Sequence, residues 1–442
     1  MKQKISFICT NCDHFLPQWL GCCPECKEWN TIEEKQASTH TTSHRRIVKM
    51  QDITTVDVLP TQRIVSGVKE WDRVMGDGIM PGAFMMLTGD PGIGKSTLLL
   101  QIAYQLSQQH NVLYFSSEES LEQIKLRAER LNCIGKKLLF SDQAHLDDIV
   151  STCEEYKPSV VIIDSLQNCF MSQTQLLPGS IGQLKEAAFK LMRLAKDNKI
   201  SIILTGHITK DGLMAGPKTL EHMVDAVFYL QGEDRWQTRV LRAVKNRFGT
   251  INELGFFEMN EQGLQEIPHI NEHLLQEVTH SPGSVLISYI EGTRPLILEL
   301  QALTITTKFG MPQRVVSGID HTQVVLIAAI LEKYLQVKLS AHDIFFKISG
   351  AFKIKGSSID LGIALALLSS FFQKPLPEKT IILGEISLTG QIKPINYINL
   401  HINEAEKFSI NNIVIAKNQK FDYTSCTTKR LGHVYELLSL FE

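Results

Sequence analysis

The chain has 442 residues, a formal net charge of −2 and 43% hydrophobic residues. Its length predicts about three domains, since one core rarely grows beyond roughly 250–300 residues. The near-neutral balance excludes a global attraction to nucleic acid, and no apolar run approaches the roughly 18–20 residues of a membrane-spanning helix; DNA contact has to come from local basic surface.

Residues 1–6 lead into cysteines rather than an apolar signal segment, which predicts a cytoplasmic protein. Five of the nine cysteines fall in the first 26 residues: Cys9, Cys12, Cys22, Cys23 and Cys26. Cys9/Cys12 and Cys23/Cys26 are two C-x-x-C pairs, each a turn that aims two thiolates at one metal. They predict a tetrahedral Cys₄ zinc site, and a reducing cytosol disfavours the alternative of two disulfides. About 30 residues cannot bury a core, so Zn²⁺ supplies the folding energy. Cys22 leaves the register open, although the spacing favours Cys23. The module is expected over 1–32. A polar, aperiodic linker, rich in Thr, His and Arg, is expected over 33–58.

Residues 59–268 alternate strand and helix patterns, as a doubly wound α/β core requires. Residues 83–88 read as a buried strand and 97–103 open a helix. Between them Gly89-Asp90-Pro91-Gly92-Ile93-Gly94-Lys95-Ser96-Thr97 fits G-x-x-x-x-G-K-[ST] in full. The glycines let backbone N–H groups curl around a β-phosphate, Lys95 neutralises β/γ charge, and the Ser96 hydroxyl holds Mg²⁺. A second strand, 112–116, leads to Glu118 and Glu119. The apolar run 159–163 ends on Asp164, a carboxylate placed to order the water shell of Mg²⁺. A further buried strand ends at His207. All these tips lie on the carboxyl edge of a parallel sheet, where open α/β folds bind ligands. Glu118 is the first candidate for polarising the attacking water and Glu119 the second; either could instead serve a helix N-terminus. His207 either senses the γ-phosphate or is an ordinary hydrogen-bonded strand end. The Gly- and Lys-containing stretch 208–218 is either a loop placed to contact a ligand and report on the nucleotide or a plain surface turn.

Several motifs carry a resemblance beyond the phosphate-binding loop. They are Cys23-Pro24-x-Cys26-x-x-Trp29-Asn30, Gly206-His207-Ile208-Thr209-Lys210-Asp211-Gly212, and Lys245-Asn246-Arg247-Phe248-Gly249. With them the chain resembles, over essentially its whole length, the RadA (Sms) branch of the RecA/DnaB-like motor ATPases of bacterial recombination. The resemblance implies an α/β fold: a RecA-like P-loop ATPase core with a small N-terminal Cys₄ zinc module and a C-terminal Lon-protease-like α+β domain. It implies ATP as the nucleotide, and a hexameric ring that drives branch migration on single-stranded and branched DNA, with the RecA recombinase as partner. Lys245 and Arg247 would then stand at the subunit interface, reaching the neighbour's nucleotide or the bound DNA. A Lon-like ATP-dependent protease and a strand-pairing recombinase filament are the alternatives.

Residues 269–442 look like the peptidase-related domain of the Lon proteases, through Gly356-Ser357-Ser358-Ile359-Asp360 and Gly384-Glu385-Ile386-Ser387-Leu388-Thr389-Gly390. Ser358 falls where the serine nucleophile would be. Asn399 stands near the expected lysine base, and an amide cannot take a proton. His401 is the other candidate base, with nothing in the sequence to support its geometry. The expectation is a scaffold without protease activity, with Lys347, Lys353 and Lys355 as either DNA contacts or solvated surface charges.

Overall fold

The structure, a computed structural model, describes residues 5–12, 14–36, 52, 54, 62–171, 180–207, 220–233, 236–276, 278–308, 310–349, 354–422 and 424–441. The stretch 208–218, Lys353 and most of the expected linker lie outside the described residues. The chain forms two compact units: Met1–Gly232 with Arg239–Ile251 and Phe257–Glu266, and Glu233–Thr238 with Asn252–Phe256 and Ile267–Glu442.

The first unit begins with strands β1 (Ile5–Cys9), β2 (Phe15–Leu16) and β3 (Ile32–Gln36), ordered β2-β1-β3 with both pairings antiparallel. Cys9 lies opposite Ile32 and Ile5 opposite Gln36. Residues 33–36, expected as the start of the linker, are therefore a paired strand. Polar composition reports that side chains face water; it does not tell whether backbone N–H and C=O groups find a partner strand. Among the described residues the buried side chains here are Cys9, Leu16, Cys23 and Ile32, with Phe7, Leu20 and Cys26 packed against them, too few to hold a module without help from a metal.

A nine-stranded sheet follows. Its strands are β4 (Phe84–Gly89), β5 (Val112–Ser116), β6 (Leu138–Ser141), β7 (Val160–Asp164), β8 (Ser201–His207), β9 (Ala226–Glu233), β10 (Trp236–Asn246), β11 (Leu254–Asn260) and β12 (Gly263–Glu266). The order is β12-β11-β10-β9-β4-β8-β7-β5-β6, and β9-β4-β8-β7-β5-β6 are parallel neighbours. Helices α1 (Lys69–Met75), α2 (Lys95–Ser107), α3 (Leu121–Arg130), α4 (Leu146–Tyr156) and α5 (Ile181–Asn198) connect and cover it. The strand period of two divides β4 between two cores. Met85 and Leu87 pack with Trp71 of α1 and Leu98, Leu99 and Ile102 of α2. Phe84 and Met86 pack with Leu184 and Leu191 of α5. Burial on both faces explains the unbroken apolar runs of β4, β5 and β7. Their parallel pairing brings the carboxyl ends of β4, β5, β7 and β8 to one edge.

The second unit holds a mixed seven-stranded sheet: β13 (Ser284–Glu291), β14 (Arg294–Thr306), β15 (Arg314–Ser317), β16 (His342–Ile348), β17 (Thr380–Leu383), β20 (Asn412–Ala416) and β21 (Thr427–Leu431). A two-stranded ribbon, β18 (Glu385–Ile386) with β19 (Ile392–Lys393), stands apart from it. The order is β15-β16-β14-β13-β17-β20-β21. Helix Asp360–Phe372 is buried along most of its length, and its unbroken apolar run reads accordingly. At Gly362 any Cβ would stand 2.3 Å from Ile287 Cγ2, so only glycine permits this approach of helix to sheet.

Candidate active site

β4 ends at Gly89 and α2 begins at Lys95, so the phosphate-binding loop is the turn between them. Gly89 has φ 153°, and a Cβ there would lie 2.2 Å from the Leu230 carbonyl oxygen of the neighbouring strand β9. No other residue fits. Helix α2 is capped by Gly94 with no side-chain hydrogen bond, which leaves its first N–H groups for an anion. Lys95 is 4% exposed. Its Nζ donates to the carbonyls of Gly89 and Asp90, both at 3.0 Å. Burial pulls the ammonium below its ordinary range, opposed by the charges of Asp164, Glu118 and Asp90. Those carboxylates thus share one electrostatic environment with Lys95.

Asp164, at the end of β7, is 6% exposed. The Tyr114 hydroxyl donates to its Oδ2 at 2.8 Å and the Thr205 hydroxyl to its Oδ1 at 2.7 Å. Complete burial, then Asp164 itself, pushes the Tyr114 phenol well above its usual range, so it stays a donor. Sequence reading passed over both partners. Their signal was a hydrogen-bonding side chain within a largely apolar strand, Tyr114 on β5 and Thr205 on β8, the strands that flank β7.

The two glutamates diverge. Glu118 Oε1 accepts from the Ser165 hydroxyl at 2.6 Å. Glu119 is paired with Arg127 of α3, and its N–H donates to the Ser116 hydroxyl. The Ser120 capping box, closed by Gln123, starts α3 directly after them. Another residue absent from the sequence reading is Arg239 of β10, whose Nε donates to the Ile93 carbonyl at 3.3 Å. His207 ends β8 with its backbone in register with Gly89.

Hard oxygen donors at Ser96 and Asp164, beside an N–H-lined loop, suit a nucleotide with Mg²⁺. The cation supplies charge neutralisation between the phosphates.

Lys245 and Arg247 do not join this group within one chain. Lys245 Nζ donates to the carbonyls of Glu221 at 2.6 Å and Val224 at 2.7 Å. Burial, then the Arg247 charge, lowers its pKa. Arg247 N–H donates to the Asp225 carbonyl, and Asp225 N–H to the Phe84 carbonyl at 2.7 Å. Phe84 begins the strand that Gly89 ends. At about 3.3 Å per residue, the pair stands roughly 17 Å along β4 from the loop.

In the N-terminal sheet module Cys9, Cys12, Cys23 and Cys26 converge, with all four Sγ atoms within 4.8 Å of one another. Cys9 Sγ is 3.6 Å from Cys26 Sγ, and Cys12 Sγ is 3.5 Å from Cys23 Sγ. Cys22 turns instead to the Cys23 carbonyl. Four converging thiols with almost no surrounding core fit tetrahedral Zn²⁺, and the register is the one that uses Cys23.

Three family models match in sequence order. The rubredoxin metal binding domain covers 7–34, an AAA domain covers 59–213, and subunit ChlI of Mg-chelatase covers 304–419. The DNA repair protein RadA of Halalkalibacterium halodurans is 40% identical over 423 residues, covering 94% of this chain and 93% of its own length. That of Bacillus subtilis is 40% identical over 424 residues with the same coverage. The chain belongs to the RadA family of DNA repair proteins. Among solved structures, the RadB recombinase is similar at 19% identity and a TM-score of 0.38, over 46% of this chain and 99% of that one. In chain order the family models give a metal-binding ribbon, an AAA-type ATPase core and a C-terminal ChlI-like domain. The cofactors are ATP with Mg²⁺, and Zn²⁺.

In this RadA-family chain the second unit keeps a cavity of about 320 Å³ lined by Ser357, Ser358, Glu385, Tyr397 and His401 among others. Asn399 does not line it; its amide donates to Asp422 at 2.6 Å. His401, for which sequence offered no geometry, shares the cavity with Ser358. It sits on the buried stripe Ile398, His401, Ile402, Ala405 of helix Ile398–Lys407, a helical spacing legible in advance. Its Nδ1 is 2.8 Å from Ser288 Oγ, and burial pushes the imidazole down to about 4.

Proposed function

We propose that this chain is a DNA-dependent ATPase that works as a homo-hexameric ring in the cytoplasm. It moves on single-stranded and branched DNA and drives branch migration of recombination intermediates alongside the RecA recombinase. One observation carries the reading. Lys95, Asp164 and Glu118 gather at the carboxyl edge of the sheet, while Lys245 and Arg247 stand at its amino edge. Cations that far from their own nucleotide can serve one only in a neighbouring subunit, in a head-to-tail contact, which closes into a ring or continues as a filament according to the rotation between subunits. A cation reaching across such a contact stabilises the transferring phosphoryl and makes hydrolysis depend on assembly.

The roles follow. Gly89 to Thr97 cradle the phosphates, Lys95 neutralises them, Ser96 and Asp164 hold Mg²⁺, and Glu118 orients the attacking water. His207 reads the γ-phosphate. Residues 1–32 form the zinc module with its ribbon continuing to 36, 59–268 the motor and 269–442 a scaffold without peptidase activity. In the scaffold the residue nearest the expected lysine, Asn399, is engaged with Asp422, which supports a non-proteolytic reading.

The test is ATPase with and without single-stranded DNA, alongside mass measurement of the full chain with a non-hydrolysable ATP analogue. The expected result is a six-subunit species and DNA-stimulated phosphate release. A monomer with DNA-independent turnover would overturn the proposal.

A further inference from the structure

We propose that Ser165 is a positioning residue for ATP hydrolysis, holding the Glu118 carboxylate by a direct hydrogen bond. The inference rests on the reading of Glu118 as the water-orienting carboxylate.

Ser165 is fully buried and follows Asp164 at the end of β7. Its Oγ donates to Glu118 Oε1 at 2.6 Å, within the range of a charge-assisted O–H···O⁻ bond. The donor is itself held. Ser117 Oγ donates to the Ser165 carbonyl at 2.7 Å and accepts from the Ser165 N–H at 3.0 Å. Ser117 N–H donates to the Asp164 carbonyl at 2.8 Å. Four hydrogen bonds therefore tie the tip of β5 to the tip of β7. The dipeptide Asp164-Ser165 presents one carboxylate from its first side chain and orients a second through its hydroxyl. Glu119, next along the chain, faces Arg127 and is drawn out of the arrangement. A general base accelerates a reaction only when held within hydrogen-bonding reach and in line with its proton, so a glutamate on a loop needs such a tether.

Ser165→Ala removes only the hydroxyl, and Ser165→Thr restores it with a methyl beside it. Full-length protein would be assayed with Mg-ATP and saturating single-stranded DNA, with fluorescent-ADP affinity and thermal midpoint as checks on folding. The expected result for Ser165→Ala is a fall in kcat of about 10-fold with KM and ADP affinity within about twofold. Losing a donor to the ionised carboxylate moves the acid limb of the kcat–pH profile toward higher pH. Ser165→Thr recovers most of the rate. In a Glu118→Gln background, Ser165→Ala costs nothing further, because its effect runs through Glu118. Unchanged kcat and pH profile in a folded Ser165→Ala protein would overturn the proposal, as would a raised kcat or a full additional loss on top of Glu118→Gln. If Ser165→Ala does not fold, Ser117→Ala, which loosens the same tether from β5, is read by the same criteria. Wild-type turnover in Glu118→Gln itself would overturn the reading of Glu118 instead, which separates the two failures.

Discussion

Arg247 Nη1 lies 3.3 Å from Oδ1 of Asp225, a carboxylate that is 5% exposed although its partner is largely in solvent. The same carboxylate accepts the Phe84 N–H at 3.0 Å and is paired with Lys196 of α5. Asp225 thus fastens the Lys-Asn-Arg-Phe-Gly segment to the first residue of the central strand. Asp225→Ala should cost about 2 kcal/mol, chiefly by stranding the Phe84 N–H, since the two cations can turn to water. Asp225→Asn keeps an acceptor and should cost less. Urea unfolding of the two variants checks this; equal losses would show that the backbone contact is not what Asp225 supplies.

Lys95→Ala should abolish ATP turnover, by at least about 100-fold, while the protein stays folded. Gly89→Ala should be worse for nucleotide binding, because its Cβ meets the Leu230 carbonyl at 2.2 Å and neither backbone can yield without opening the sheet. Phosphate release and nucleotide affinity measure the two effects. Retained turnover in Lys95→Ala would sink the assignment of the loop.

The zinc register is open to a direct count. One zinc per chain is expected in the wild type and in Cys22→Ser, and none in Cys23→Ser, because only Cys23 joins the four converging thiols. Metal content by atomic absorption decides it. Loss of zinc in Cys22→Ser with retention in Cys23→Ser would reverse the register.

His401 and Asp360 should pull the pH dependence of the second unit in opposite directions. Burial holds His401 at about 4 rather than 6.5, so the unfolded chain binds more protons between those values. Stability from this group therefore falls as pH drops from 6.5 toward 4. Burial holds Asp360 at about 6 rather than 3.8, so the folded chain binds more protons there, and stability falls as pH rises through 6. Each shift is worth about 3 kcal/mol at most. Asp360→Asn should steepen the loss of stability on going from pH 7 to about 4.5, and His401→Gln should reduce it. Parallel thermal-midpoint profiles for wild type and both variants would refute this balance.

Much of the nucleotide site was legible because its chemistry is local. A phosphate loop needs glycines, a lysine and a hydroxyl within nine residues, and an apolar strand ending on an acid marks Asp164. The residues that sequence passed over are those whose partners arrive from other strands. Tyr114 and Thr205 meet Asp164 only because β5 and β8 flank β7, and Ser165 meets Glu118 only across the β5–β7 pairing. The choice between Glu118 and Glu119 was open for the same reason, since adjacent carboxylates differ only in what each one reaches.

By itself the sequence determined the three-part organisation, the four zinc thiols apart from the Cys22/Cys23 choice, and the loop that binds a nucleotide. Each is written in short-range spacing, where a turn or one strand-to-helix junction is the whole geometry. The tertiary structure alone decided that Lys245 and Arg247 stand at the far edge of the sheet from their own loop. It alone also placed His401 in the Ser358 cavity and made residues 33–36 a strand. Strand order and backbone pairing are set by contacts between segments far apart in the chain, and no local pattern of side chains encodes them.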